Sequence, residues 1–181
     1  MNQQSNRVLY LAKGAVIAAA YAVLTYVVAL AGLAYGPVQF RLSEALTVLP
    51  VFTSAAVPGL TLGCLLANIL SGYGAADMVF GTLATLLAAL LTRLVRNVRF
   101  RGIPVLAPLP PVLLNAGIIG LELTLMANGK FDLSLFHNFN WILFWSNAGS
   151  VGLGELVVCY ALGLPLLVMI EKNKKLKSLL Q

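Results

Sequence analysis

Apolar residues run through this chain in blocks far longer than a soluble core needs, and polar side chains interrupt them at only a few places. A bilayer core of about 30 Å is crossed by roughly 20 apolar residues wound as a helix. Residues 14 to 34, 76 to 95 and 104 to 127 each fit that length, and 141 to 170 is long enough to cross with tilt or to extend beyond the membrane. Residues 43 to 72 are ambiguous, because a mostly apolar block of that size suits one long helix or two short ones.

Charge parity resolves the ambiguity. Basic residues concentrate at Arg7 and Lys13, at Arg93, Arg96, Arg99 and Arg101, and at Lys172, Lys174, Lys175 and Lys177. The positive-inside rule puts all three clusters in the cytoplasm, so an even number of crossings separates the first from the second. Residues 14 to 34 and 76 to 95 supply two, and 43 to 72 must supply none or two. The break is expected at Ala56-Val57-Pro58-Gly59, since Pro58 cannot continue a helix but suits the first turn of the next. Helix 2 is thereby placed at about 43 to 57 and helix 3 at about 58 to 72, each roughly 22 Å long at 1.5 Å per residue. The expected fold is an all-α integral membrane protein, one domain over residues 1–181, with six transmembrane helices, both termini cytoplasmic, and helices 2 and 3 short. The 35 to 42 loop, the Gly72-Tyr73-Gly74 turn and the 128 to 140 segment are then external.

Composition agrees with a membrane location. The chain is 60% hydrophobic and 10% charged with mean hydropathy +0.90, against roughly 25% charged in soluble domains. The net charge of +6 is explained by the three clusters, so no nucleic-acid partner is expected. Cys64 and Cys159 lie within apolar runs, as lone buried thiols commonly do. The N-terminal run ends in no small-residue cleavage site and reads as a retained helix rather than a signal peptide.

On this topology the costly side chains gather toward one leaflet. Glu44, Asn68, Asp77, Glu122 and Asn147 fall in the outer halves of their helices, with Asn115 and Glu155 near mid-depth, while the inner halves are dry. A carboxylate in hydrocarbon costs at least ~2.5 kcal/mol, so the concentration implies a shared polar cup that opens outward and stops halfway. The alternative, a standalone secondary transporter, would place coupling carboxylates along both halves. Near the start of the last span, WILFWSNAGSVGLGE removes side-chain bulk beside Trp141 and Trp145. These tryptophans suit the interfacial belt, and Trp145, one turn deeper, also suits stacking on a flat ligand. On the first helix Ala15, Ala18, Ala19 and Ala22 form a smooth face, fit for intramolecular packing or for a partner helix.

Several chemistries are absent from the sequence. It contains no G-x-x-x-x-G-K-[ST] stretch for ATP hydrolysis, and His137 with two scattered cysteines makes no zinc set of the usual kind. Ser150 lacks the G-x-S-x-G register of a serine nucleophile. No enzyme activity, metal or cofactor is expected of this chain.

Four stretches carry a family resemblance: VQFRLSEALTVLP (38 to 50), VPGLTLGCLLANILSGYGAADMVFGTLATLLAALLT (57 to 92), PPVLLNAGIIGLEL (110 to 123) and VGLGELVVCYALGLPLL (151 to 167). Together they resemble the queuosine-precursor transporter family, QueT, whose members are substrate-binding S components of energy-coupling factor (ECF) transporters. The resemblance implies a six-helix S component in a prokaryotic plasma membrane and a 7-deazaguanine substrate such as preQ1, preQ0 or queuine. It also implies docking on an ECF module, a transmembrane coupling subunit with two ATPases, through an A-x-x-x-A face on helix 1. Ala15 with Ala19 and Ala18 with Ala22 both have that spacing.

The candidate binding residues follow from the ligand's chemistry. A deazaguanine presents N1–H and its exocyclic amine side by side, donors that one carboxylate, Glu122 or Glu155, accepts together. A second carboxylate would pair with the cationic aminomethyl group of preQ1, and Asn68, Asn115 and Asn147 would meet the carbonyl and ring nitrogens. Ser43 and Glu44 fit the N-cap and first turn of helix 2, and Asp77 fits the first turn of helix 4. Arg41, just outside helix 2, is expected to pair with Glu44 or Asp77 and pin the 35 to 42 loop over the cup.

Overall fold

The computed structural model describes residues 3–32, 40–69, 71 and 73–180, and among them the fold is all helical. Helix α1 runs from Gln3 to Leu30 without a proline, beginning well before the expected apolar run. A 3-10 helix occupies Leu42–Val51, α2 Ala56–Asn68, α3 Ala75–Val95 and α4 Leu109–Leu125. A short 3-10 turn at Leu133–Phe136 precedes α5 (Trp141–Val158), a π-helical turn (Cys159–Gly163), α6 (Leu164–Lys172) and α7 (Lys174–Leu180). Among the described residues three helices are long and apolar enough to cross a membrane: Gln3–Leu30, Ala75–Val95 and the continuous Trp141–Lys172. Leu42–Val51, Ala56–Asn68 and Leu109–Leu125 are shorter apolar helices. Positions 33 and 34 of the first expected span, 35 to 39 of the following loop, and Leu70 and Gly72 near the expected turn lie outside the described residues.

Proline accounts for where the observed elements depart from expectation. The second helix is a 3-10 helix ending at Val51, not an α-helix reaching 57, and the chain turns over residues 52 to 55. Pro50 has no N–H to give and its ring would clash with the carbonyl of Leu46 in an α-helix, so an unbroken α-helix from 43 to 57 is barred. A 3-10 helix rises about 2.0 Å per residue, so its ten residues cover roughly 20 Å, nearly the depth expected of fifteen α-helical ones. Pro58 then sits in the first turn of α2, where a missing donor costs nothing. Pro110 and Pro111 likewise fix the start of α4 at Leu109 rather than 104. Pro165 cannot bond back to Ala161, and the helix accommodates it with the π turn, in which the N–H of Leu164 donates to the carbonyl of Cys159.

Sequential α-helices from α1 to α5 pack pairwise, and the long 3-10 helix packs against α1, α2, α3, α5, α6 and the π turn, which makes it the central element. Small residues set these separations. A Cβ on Gly59 would stand 2.7 Å from the carbonyl oxygen of Gly14, and one on Gly63 2.7 Å from that of Ala18. The α4–α5 crossing is equally close, with a Cβ on Gly120 falling 2.9 Å from the Cα of Ala148. Without a hydrophobic drive between helices in lipid, this backbone approach supplies the packing. At the chain's far end Glu171 accepts from Arg99 Nη1 (2.9 Å) and Lys177 Nζ (2.7 Å), fastening α7 to the α3–α4 connection.

Candidate binding site

Four of the chain's six acidic residues converge inside the bundle: Glu44 on the central 3-10 helix, Asp77 on α3, Glu122 on α4 and Glu155 on α5. Each is at most 2% exposed. Arg41, also buried, interacts electrostatically with all four, and its Nη2 lies 3.3 Å from both carboxylate oxygens of Asp77. The arginine therefore pairs with Asp77, the second of its two expected partners.

The remaining carboxyls differ in how they are satisfied. Glu44 accepts a hydrogen bond from the hydroxyl of Tyr21 on α1. Glu155 accepts from the thiol of Cys159 at 3.6 Å, and that thiol also lies 3.8 Å from the backbone carbonyl oxygen of Glu44. Asn115 on α4 is buried near Glu44 and Glu155, and its Nδ2 has no hydrogen-bond partner among the described residues. Glu122 stands apart: it is buried, neighbours Asp77 and Arg41, and neither of its carboxylate oxygens has a hydrogen-bond partner among the described residues. Burying a charged or polar group without a partner is expensive, so a site that keeps both acceptors free is suited to a ligand that donates to them.

Asn68 supports the acidic wall from α2. Its Nδ2 donates to the backbone carbonyl of Asp77 at 2.9 Å, while its Oδ1 has no partner among the described residues. Gly81 leaves room for this contact, since a Cβ there would lie 2.5 Å from Asn68 Nδ2 and 2.9 Å from Asp77 Oδ1. The amide of Asn147 is half-buried and donates to Thr124 Oγ1 at 3.2 Å, above Glu122 in sequence on α4. Trp145 is not brought to this cluster; it is 67% exposed and packs edge-on against Phe144. It belongs instead to an aromatic group with Phe139, Trp141 and Phe144 beside an apolar concavity of about 330 Å³.

Two capping expectations are corrected. Arg41, not Ser43, occupies the N-cap position of the 3-10 helix, and the Ser43 hydroxyl instead hydrogen-bonds the Thr25 hydroxyl on α1 at 2.7 Å. Asp77 does open α3, but its carboxylate is committed to Arg41 rather than to the helix end. The alanine face of α1 divides. Ala18 and Ala22 are buried, Ala18 facing Gly63 of α2, whereas Ala15 and Ala19 are exposed.

Reasoning from charges and amides misses the hydroxyls of Tyr21 and Thr25 and the contact of the Cys159 thiol with Glu155. A usable signal exists, because Tyr21 and Thr25 are one turn apart and share the buried stripe of α1 with Ala18 and Ala22. No cluster of three or more metal-ligating side chains occurs among the described residues.

Comparison with known proteins gives this geometry a family. A curated relative, the queuosine precursor transporter QueT of Lactococcus lactis subsp. cremoris, is 39% identical over 72 residues, covering 40% of this chain. The aligned stretch spans 42% of that relative's own length. No solved structure matches the chain. The family described as QueT transporter matches residues 11–172, nearly the whole helical bundle, and the chain belongs to that family of membrane transporters.

Proposed function

We propose that this chain is the substrate-binding S component of an ECF importer, a six-span plasma-membrane protein with cytoplasmic termini that captures a queuosine precursor of the 7-deazaguanine class. Two ATPases and a coupling subunit supply the energy, and the exposed Ala15–Ala19 pair on α1 meets the coupling subunit. The relative's printed name, queuosine precursor transporter, supports the substrate class. The observation that carries the site is Glu122, a buried carboxylate with two unpartnered oxygens beside the Arg41–Asp77 pair.

The chemistry follows from complementarity. Glu122 accepts N1–H and the exocyclic amine of the ring as two parallel hydrogen bonds, the arrangement in which a carboxylate binds most strongly. Asn68 offers its free Oδ1 as a further acceptor, and Asn115 addresses the opposite edge of the ligand. Asn115 and Glu122 are seven residues apart on α4, two turns on one face, which separates them by about 10 Å along the axis and suits a bicyclic ring with a short substituent. The isolated chain binds without pumping, because it carries no nucleotide-hydrolysing loop.

Calorimetric titration of the purified chain with preQ1, preQ0, queuine and guanine tests the reading. At least one deazaguanine should bind, and Glu122→Gln should weaken that binding by roughly 10- to 100-fold, the equivalent of a charged hydrogen bond. Binding of none of these ligands, or an unchanged affinity in Glu122→Gln, refutes it.

A further inference from the structure

The arginine end of α3 combines features that its part in fixing the topology does not use. Arg93 and Arg96 stand one turn apart and, with Asn97, line an open concavity of about 360 Å³ whose other walls are Leu90 and Leu94. Arg93 Nη1 donates to the carbonyl of Pro50 at 3.1 Å, and among the described residues no carboxylate pairs with either arginine. Glu171 is already taken by Arg99 and Lys177. The C-terminal end of a helix favours cations, which accounts for the sign of these side chains, yet two guanidiniums on one face repel each other until an anion comes between them.

Toward the membrane interior the same helix is apolar on the same side. Leu83, Leu87, Leu90 and Leu94 recur at intervals of four, three and four residues, so they share one face, and all four are exposed, Leu94 at 76%. The stripe is about 16 Å long at 1.5 Å per residue, close to half of a bilayer core of about 30 Å. A molecule that joins an anionic head to apolar chains of that reach is a phospholipid of net negative charge. We infer that Arg93, Arg96 and Asn97 form a binding site for the phosphate of an anionic phospholipid, whose acyl chains lie along the Leu83–Leu94 stripe. A guanidinium offers paired N–H donors that match two phosphate oxygens, and the Asn97 amide adds a further donor. The turn that follows suits the same membrane level. Phe100 and Ile103 exchange backbone hydrogen bonds of 2.9 and 3.0 Å around Arg101 and Gly102, both at positive φ. Phe100 is 63% exposed, with the Arg101 guanidinium 5.5 Å from its ring centre, and an exposed aromatic beside cations fits the headgroup region. The Arg93–Pro50 contact joins this site to the central 3-10 helix, and nothing in it depends on which substrate the chain carries.

The test is native mass spectrometry of the full chain in detergent, titrated with phosphatidylglycerol or with phosphatidylcholine of the same acyl chains. Phosphatidylglycerol should bind at least about tenfold more tightly, since only it brings a net negative charge to the arginine pair. Arg96→Gln should weaken phosphatidylglycerol binding by roughly 10- to 100-fold, the loss of a charged hydrogen-bonded contact, and bring the two lipids to within about threefold of each other. Arg101→Gln removes an equal charge outside the concavity and should cost at most about fivefold, the value of one charge near an anionic surface. Glycerol phosphate, the head without its chains, should not be retained. Equal affinity of the wild-type chain for the two lipids overturns the inference and returns the arginines to a protein partner or to topology alone. Equal losses in Arg96→Gln and Arg101→Gln reveal a diffuse basic surface and overturn the discrete site. Retention of glycerol phosphate as tight as that of the lipid overturns the lipid assignment. The two-lipid comparison on the wild-type chain involves no substitution, so misfolding of Arg96→Gln does not shelter the proposal.

Discussion

Replacing Gly81 with alanine adds one methyl group where α3 passes Asn68. The new Cβ would lie 2.5 Å from Asn68 Nδ2 and 2.9 Å from Asp77 Oδ1, both inside van der Waals contact. Neither neighbour can yield freely. Asn68 is held by its bond to the Asp77 carbonyl, and the Asp77 carboxylate is held by Arg41. To make room the amide must withdraw, leaving a buried donor and a buried carbonyl unsatisfied at a cost of about 1 to 3 kcal/mol. Alanine also gains up to about 1 kcal/mol over glycine in a helix interior, which would blur the measurement. Gly117→Ala provides the correction, because nothing lies within 4 Å of a Cβ there and it too is a mid-helix position. The propensity gain is common to both variants, so the difference between them isolates the clash. Reversible unfolding of each variant in detergent should show Gly81→Ala less stable than Gly117→Ala by about 1 to 3 kcal/mol, with weaker ligand binding in Gly81→Ala alone. Equal stabilities and equal affinities would show that Asn68 and Asp77 do not form a rigid wall.

Other perturbations separate the scaffold from the site. Arg41→Met strands Asp77 among three further carboxyls and should destabilise the protein by about 3 to 5 kcal/mol, measured by denaturation; Arg41→Met combined with Asp77→Asn should recover part of that loss, since the stranded charge is removed. Ala18→Leu forces a large side chain against the backbone approach at Gly63 and should cost about 1 to 3 kcal/mol in the same assay. Ala19→Leu, on the exposed side of α1, should leave stability and ligand affinity as in the wild type yet abolish uptake by cells that supply the energising subunits. Uptake at wild-type levels would remove the Ala15–Ala19 face from the docking surface.

How much of this molecule can be read from its sequence depends on which groups carry a large transfer cost. Glu44, Asp77, Glu122 and Glu155 are costly enough in an apolar chain that their presence alone argues for burial among protein groups, and all four are buried within electrostatic reach of Arg41. Hydroxyls escape that reasoning because they can satisfy themselves on their own helix, as Thr25 does with the carbonyl of Tyr21 at 3.0 Å. Proline positions are equally visible, yet their consequences are not all equal. Pro110 and Pro111 mark a helix start, whereas Pro50 and Pro165 select 3-10 and π windings that depend on what the neighbouring helices provide. The carbonyl of Pro50, for example, receives Arg93 Nη1 at 3.1 Å, a contact with no local sequence signal.

The long 3-10 helix also fixes how each neighbour is addressed. With three residues to the turn its side chains stack in straight columns instead of spiralling, so Glu44 and Thr47 fall in one file and Ala45 and Val48 in another. The second file faces Gly163, whose missing side chain admits it. Such a rod behaves like a three-sided key: adding or dropping one residue ahead of Glu44 turns it by about 120° and presents a greasy edge where the acid belonged.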